Sequence, residues 1–203
     1  MPGDRDSARE DADESVRESA GGAALREDGL LAVRAAEGDE EAFEQLVRRH
    51  APALLRLATR LLGSRTEAED AVQESFVSAW RKMPEFRGDA RFGTWMHRIV
   101  TNRCLNVLRA RRPSVDLGEV PEPQAPEHEA SPARVAESHA AVVALGRAME
   151  GLSPEQRVCW VLRELNGVAY ETIAETVGIS PEAVRGRVFR ARRYLTEAMA
   201  AWR

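Results

Sequence analysis

Five of the chain's ten prolines fall between residues 113 and 133: Pro113, Pro121, Pro123, Pro126 and Pro132, set among acidic side chains. Proline has no amide N–H, and its ring clashes with the preceding helical turn. No helix or central strand therefore runs through PSVDLGEVPEPQAPEHEASPA. The stretch reads as a flexible linker, 113–134, which confines folding to two blocks, 29–112 and 135–203. Ahead of them, residues 1–28 are rich in Asp, Glu, Ser, Ala and Gly, with only Val16 and Leu25 as sizeable apolar side chains. Such a segment buries too little to offset its ordering entropy and reads as a disordered acidic extension.

Both blocks carry helical signals. Asp39 is placed to cap a helix whose apolar residues Phe43, Leu46, Val47, Leu54, Leu57, Leu61 and Leu62 continue past Pro52 to a stop at Gly63. Ser64 followed by Glu67 predicts a capping box for a second helix to about Lys82, ended by Met83–Pro84. A loop, EFRGDARFG, precedes a third helix from about Thr94 to Arg109. In the second block, YETIAETVGISPEAVRGRVFRARRYL reads as helix, tight turn, helix. Ala174 sits where two helices approach, Gly178 ends the first, and Ser180 caps the second, with Pro181 in its first turn. No stretch alternates like a strand between hairpin signals, so the expected class is all-α, two small helical domains on a Pro- and acid-rich linker.

The whole-chain charge of −4 argues against a nucleic-acid binder until it is divided. Residues 1–28 carry −5, 29–112 carry +4, 113–150 carry −5 and 151–203 carry +2. The bases thus belong to the two folding blocks. Other classes drop out. No apolar run approaches the ~18 residues of a membrane span, and the acidic start is no signal peptide. Cys104 and Cys159 form no CxxC pair, and a reduced, cytoplasmic setting is expected, with both thiols packing as small hydrophobes. His50, His97, His128 and His139 show no metal-ligand spacing, and no phosphate-binding glycine motif is present, so neither metal, cofactor nor catalytic site is expected.

Three helix faces stand out. On the third helix, Met96, Val100, Cys104 and Val107 share a stripe, and Trp95, Arg98, Asn102, Asn106 and Arg109 lie opposite. With Phe86, Arg87, Arg91 and Phe92 from the preceding loop, they gather groups that stack on bases, bind phosphates and hydrogen-bond base edges. From Arg81 to Arg112 there are nine bases and two acids. On the second helix, Asp70, Gln73, Glu74, Val77 and Arg81 form a polar strip that would suit a basic protein surface. On the last helix, Val184, Val188, Ala191 and Leu195 face inward. Gly186, Phe189, Arg190 and Arg193, flanked by Arg185, Arg187 and Arg192, face the other way, as in a helix-turn-helix whose second helix enters the major groove. Pattern alone also admits plainer readings: a solvated arginine face with Trp95 in the core, a solvated polar strip, and a helical turn in a bundle that binds no DNA.

Phe43, DAVQE at 70–74, FRGDARFGTW at 86–95, Ile99 and Asn102 resemble domain 2 of a bacterial sigma factor. Residues 152–195 resemble sigma domain 4, and the direct linkage of the two is similar to the extracytoplasmic-function (ECF) subgroup. The resemblance implies a protein without catalysis of its own that binds core RNA polymerase and promoter DNA and is held by an anti-sigma factor. It implies that Asp70, Gln73 and Glu74, on one strip with Val77 and Arg81, dock on the polymerase clamp. It implies that Phe86, Arg87, Trp95 and Asn102, with Arg91, Arg98 and Asn106 on the same surface, open the −10 element, Asn102 reading an unstacked base. Arg185, Phe189 and Arg190, with Gly186, Arg187 and Arg193, would read the −35 element. Gly186 departs from the Ser or Thr common at its position. The competing reading is a stand-alone helix-turn-helix regulator that needs no polymerase docking.

Overall fold

The computed structural model describes residue 23, residues 25–111 and residues 132–202, with the side chains of its fifth helix described from residue 140. Most of the expected extension, and 113–131 of the expected linker, lie outside the described residues. Among the described residues eight α-helices follow one another: α1 (25–36), α2 (Glu40–Leu62), α3 (Arg65–Lys82), α4 (Phe92–Ala110), α5 (Pro132–Glu150), α6 (Pro154–Trp160), α7 (Tyr170–Val177) and α8 (Pro181–Ala198). Among the described residues there is no strand, and no helix is long and apolar enough to cross a membrane. The chain divides into two compact units, Met1–Pro52 with Phe76–His97 and Ala53–Ser75 with Arg98–Arg203, so α2, α3 and α4 each contribute to both.

The first unit departs from the sequence reading at its start. Residues 25–28, assigned to the disordered extension, are helical and open α1. Leu31, Ala32 and Ala35 bury one face of this helix. Three of its four large apolar residues, Leu25, Leu30 and Val33, stay exposed and Gly29 lies within it, so packing of the narrow buried face supports the helix. Asp39 caps α2 as expected, Oδ1 accepting from the Ala42 amide at 3.0 Å while Arg34 Nε donates to Oδ2 at 2.9 Å. These two donors hold the Asp39 carboxyl below its usual pKa. After α3 a single 3-10 turn, Met83–Glu85, buries Met83 completely, and α4 begins at Phe92, two residues earlier than expected.

In the second unit α2 ends at Gly63, whose φ of +72° suits glycine. Ser64 Oγ accepts from the Glu67 amide at 3.4 Å, which is half of the expected capping box. The other half is missing because Glu67 pairs with Arg111, which also donates to the Leu62 carbonyl at 2.8 Å and so satisfies the end of α2. Farther on, the first three residues of α5, 132–134, were read as the end of the linker. Pro132 sits at the first helical position, where its missing N–H leaves no bond unmade. Ser153 and Gln156 form a full capping box at α6, at 3.3 and 3.0 Å. Gly178 closes α7 in the left-handed region, its amide donating to the Ala174 carbonyl at 2.8 Å, and Ser180 Oγ caps α8 by accepting from the Ala183 amide at 3.2 Å. Ile173, Val184, Val188 and Leu195 are the buried side of this helix-turn-helix, each side chain worth roughly 1.5–3 kcal/mol of burial.

Candidate nucleic-acid interface

The loop between α3 and α4 is anchored by aromatics at both ends and exposed between them. Phe92 is 3% exposed, whereas Arg87, Gly88, Asp89, Ala90 and Arg91 all lie open to solvent. Gly88, at φ +74°, makes the turn that the loop needs. Phe86 and Trp95 meet at 5.0 Å between ring centroids, and Phe92 lies 6.3 Å from the first and 5.9 Å from the second. Trp95 is half-buried, packed against Phe86 and Phe92. Farther along α4, Arg98 and Asn106 are exposed and Asn102 half-buried, at the spacing of one helix face. Arg87, Arg91 and Arg98 form no ion pair among the described residues, which leaves their guanidiniums available to phosphates.

Beneath this surface α4 carries His97, whose pKa burial lowers, with nearby His50 adding to the effect; its imidazole is neutral at pH 7. Cys104 is fully buried, and burial pushes its thiol up to about 12. Cys159, in the second unit, is likewise fully buried, with its thiol pushed to about 11. Both cysteines are free thiols.

All five residues of the α3 strip, Asp70, Gln73, Glu74, Val77 and Arg81, are exposed, Val77 to 48%. One of them has an internal partner that the sequence did not reveal: Glu74 forms an ion pair with Arg103 of α4. Asp70 and Gln73 remain open.

On α8, Phe189 is 64% exposed, an aromatic ring held in water on a helix whose other side is packed. Arg190, also exposed, folds back along the helix: its Nη1 lies 3.4 Å from where a Cβ on Gly186 would stand. Arg185 is held in place. Its Nη2 approaches Glu171 at 3.4 Å and its Nη1 approaches Glu182 at 3.6 Å. Its guanidinium also stands 5.3 Å from the Tyr170 ring, which Arg163 covers at 4.5 Å. Tyr170 and Glu171 were not singled out from the sequence, although a tyrosine opening the helix before an arginine-rich one was there to be read. Arg187 is half-buried and donates to its own helix at the Ala183 carbonyl, 3.4 Å away, while Arg193 pairs loosely with Glu197 at 3.8 Å. Phe189, Arg190 and Arg193 thus face solvent, and Arg185, also exposed, is held in a fixed place by its neighbours.

Two family models match the chain, Sigma-70 region 2 over residues 46–113 and Sigma-70, region 4 over residues 143–195. The ECF RNA polymerase sigma factor SigE of Mycolicibacterium smegmatis is 34% identical over 174 residues, covering 83% of this chain and 67% of that protein. The ECF RNA polymerase sigma-E factor of Escherichia coli K12 is 35% identical over 173 residues, covering 81% and 90%. Among solved structures, CnrH in complex with the cytosolic domain of CnrY superposes with a TM-score of 0.62 at 30% identity, over 86% of this chain and 98% of that one. The sigma factor RpoE in complex with the anti-sigma factor NepR from Bartonella quintana gives 0.59 at 26% identity, over 79% and 98%. With both region models in order along it and relatives matched over more than four fifths of its length, the chain belongs to the ECF RNA polymerase sigma factors of the sigma-70 family.

Proposed function

We propose that this chain binds core RNA polymerase and directs initiation at particular promoters. One domain, 29–112 extended to include α1, docks on the polymerase and opens the −10 element. The other, 135–203, grips the −35 duplex. The observation that carries the reading is the order of the two sigma regions on one chain, each overlapping an exposed face rich in arginine and aromatic groups. Asp70, Gln73, Val77 and Arg81 meet the polymerase, with Glu74 steadied by Arg103. Phe86 and Trp95 offer a stacking surface to an unpaired base, the Asn102 amide hydrogen-bonds it, and Arg87, Arg91 and Arg98 take phosphates. Arg185, Phe189 and Arg190 face base edges in the major groove, and Gly186 lets the α8 backbone approach closely. The linker makes the second contact intramolecular once the first is made.

A factor of this kind needs no cofactor, catalyses nothing itself and works in the cytoplasm. The structure of RpoE with the anti-sigma factor NepR supports an anti-sigma partner for this chain too. A stand-alone regulator is the less favoured reading, since it would have no use for a polymerase-docking strip.

In vitro transcription with core polymerase on a genomic library tests the reading and should yield start sites sharing −35 and −10 motifs. Asp70→Arg, at an exposed position that forms no ion pair among the described residues, should weaken core binding by about tenfold or more, as a like charge set against a basic partner does. Specific promoter binding by the chain alone, with core polymerase adding nothing, would establish the stand-alone regulator instead.

A further inference from the structure

We infer that α1 is a strut for the loop that meets the −10 element, and that Asp28 and His50 are positioning residues for promoter opening. The inference rests on the reading of Phe86, Trp95 and their loop as the −10 site. The region 2 match begins at residue 46, so α1 lies ahead of it.

The strut is built from a buried carboxylate. The Asp28 side chain is only 12% exposed, and both its oxygens are used: Oδ1 accepts from Arg49 Nη1 at 2.5 Å, and Oδ2 bonds His50 Nε2 at 2.9 Å. Arg49 is fixed in turn by Glu27, at 3.0 Å. A charge this far out of water must keep its partners, so the pairing sets the position of His50. The His50 ring lies 5.3 Å from the Phe92 ring. Its Cε1 is 3.1 Å from where a Cβ on Gly93 would stand, so glycine at the start of α4 admits the ring where a larger residue would crowd it. Phe92 then touches Phe86 and Trp95, the two rings offered to the base. From the carboxylate of Asp28 to the exposed edge of Trp95 the path is one hydrogen bond and two ring contacts.

The surroundings give this path its weight. Beyond His50, α1 and the loop are separated by a cleft of about 590 Å³, with Val33 and Ala36 on one wall and Arg87, Ala90 and Arg91 on the other. Residues 87–91 are all exposed and lack a core anchor of their own. The aim of the loop is therefore set at its base, where His50 meets Phe92 and Gly93.

The test uses holoenzyme and a promoter found by transcription. A fluorescent single-stranded −10 oligonucleotide and a −35 duplex are titrated in parallel against Asp28→Leu, Asp28→Asn, His50→Leu, the double leucine variant and Trp95→Ala. Asp28→Leu and His50→Leu should each weaken oligonucleotide binding by about tenfold, the scale of a lost hydrogen bond to a charged group. The double variant should be no worse than the poorer single one, as for two links in one path. Asp28→Asn, which keeps an oxygen for His50, should retain most of the affinity, and −35 duplex binding should not change in any variant. Normal oligonucleotide binding by Asp28→Leu while Trp95→Ala loses it would overturn the strut alone. Parallel losses on both probes, or losses that multiply in the double variant, would also overturn it. Normal binding by Trp95→Ala would overturn the reading of the −10 site itself.

Discussion

Tyr170 shows how a residue outside the proposed −35 contact can steady one within it. Its ring lies within reach of the guanidiniums of both Arg163 and Arg185, at 4.5 and 5.3 Å, and attracts both. Arg185 is then presented from a fixed place instead of sampling its many rotamers, which lowers the entropy lost on binding. Tyr170→Leu should weaken −35 duplex binding by about two- to fivefold, the scale of an exposed cation–π contact, and Tyr170→Phe should restore it. Equal affinities for all three, measured by anisotropy, would remove Tyr170 from the site. The two cysteines make the opposite point. With thiols pushed to about 12 and about 11 and no exposed surface, Cys104 and Cys159 are protonated and shielded at neutral pH. They belong to the cores, as expected of cysteines packing as small hydrophobes.

Among the helices, legibility followed locality. α2, α7 and α8 announce their ends through Asp39, Gly63, Gly178 and Ser180, whose bonds close within five residues. Ser64–Glu67 announced a capping box and delivered half, because Arg111, far along the chain, claims the Glu67 carboxylate. α1 is hidden for the same reason, as the partners of its Asp28, Arg49 and His50, lie 21 and 22 residues on, in the next helix. The polar strip of α3 was legible as a face, but the Glu74–Arg103 pair within it was not. Gly186 stands where the resemblance leads one to expect Ser or Thr, and on α8 it has a measurable consequence. An added Cβ would meet nothing closer than Arg190 at 3.4 Å, an ordinary contact, so Gly186→Ala is free to gain helix propensity. Denaturant unfolding should show this variant about 0.5–1 kcal/mol more stable. A loss of stability would mean that α8 requires glycine there for its own fold.

For the molecule as a whole, charge is partitioned by task. Residues 1–24 hold seven acids and three bases, set against folding blocks that are net basic. The free chain should accordingly bind random duplex more weakly than the ~10⁻⁴–10⁻⁶ M usual for non-specific binders at physiological salt. Removing residues 1–24 should tighten that binding and steepen its salt dependence, both read from titrations at several salt concentrations; unchanged curves would leave the acidic segment without an electrostatic part. The position of α1 bears on a different matter, the exchange of parts between related factors. The family signature opens at residue 46, yet the buried carboxylate that fixes His50 is at residue 28. A chimera spliced at the signature would inherit Arg49 and His50 without their acid and would lose the buried face of Leu31, Ala32 and Ala35. The transplantable module therefore begins at residue 25, and promoter preferences carried between relatives should travel intact only when that first helix goes with them.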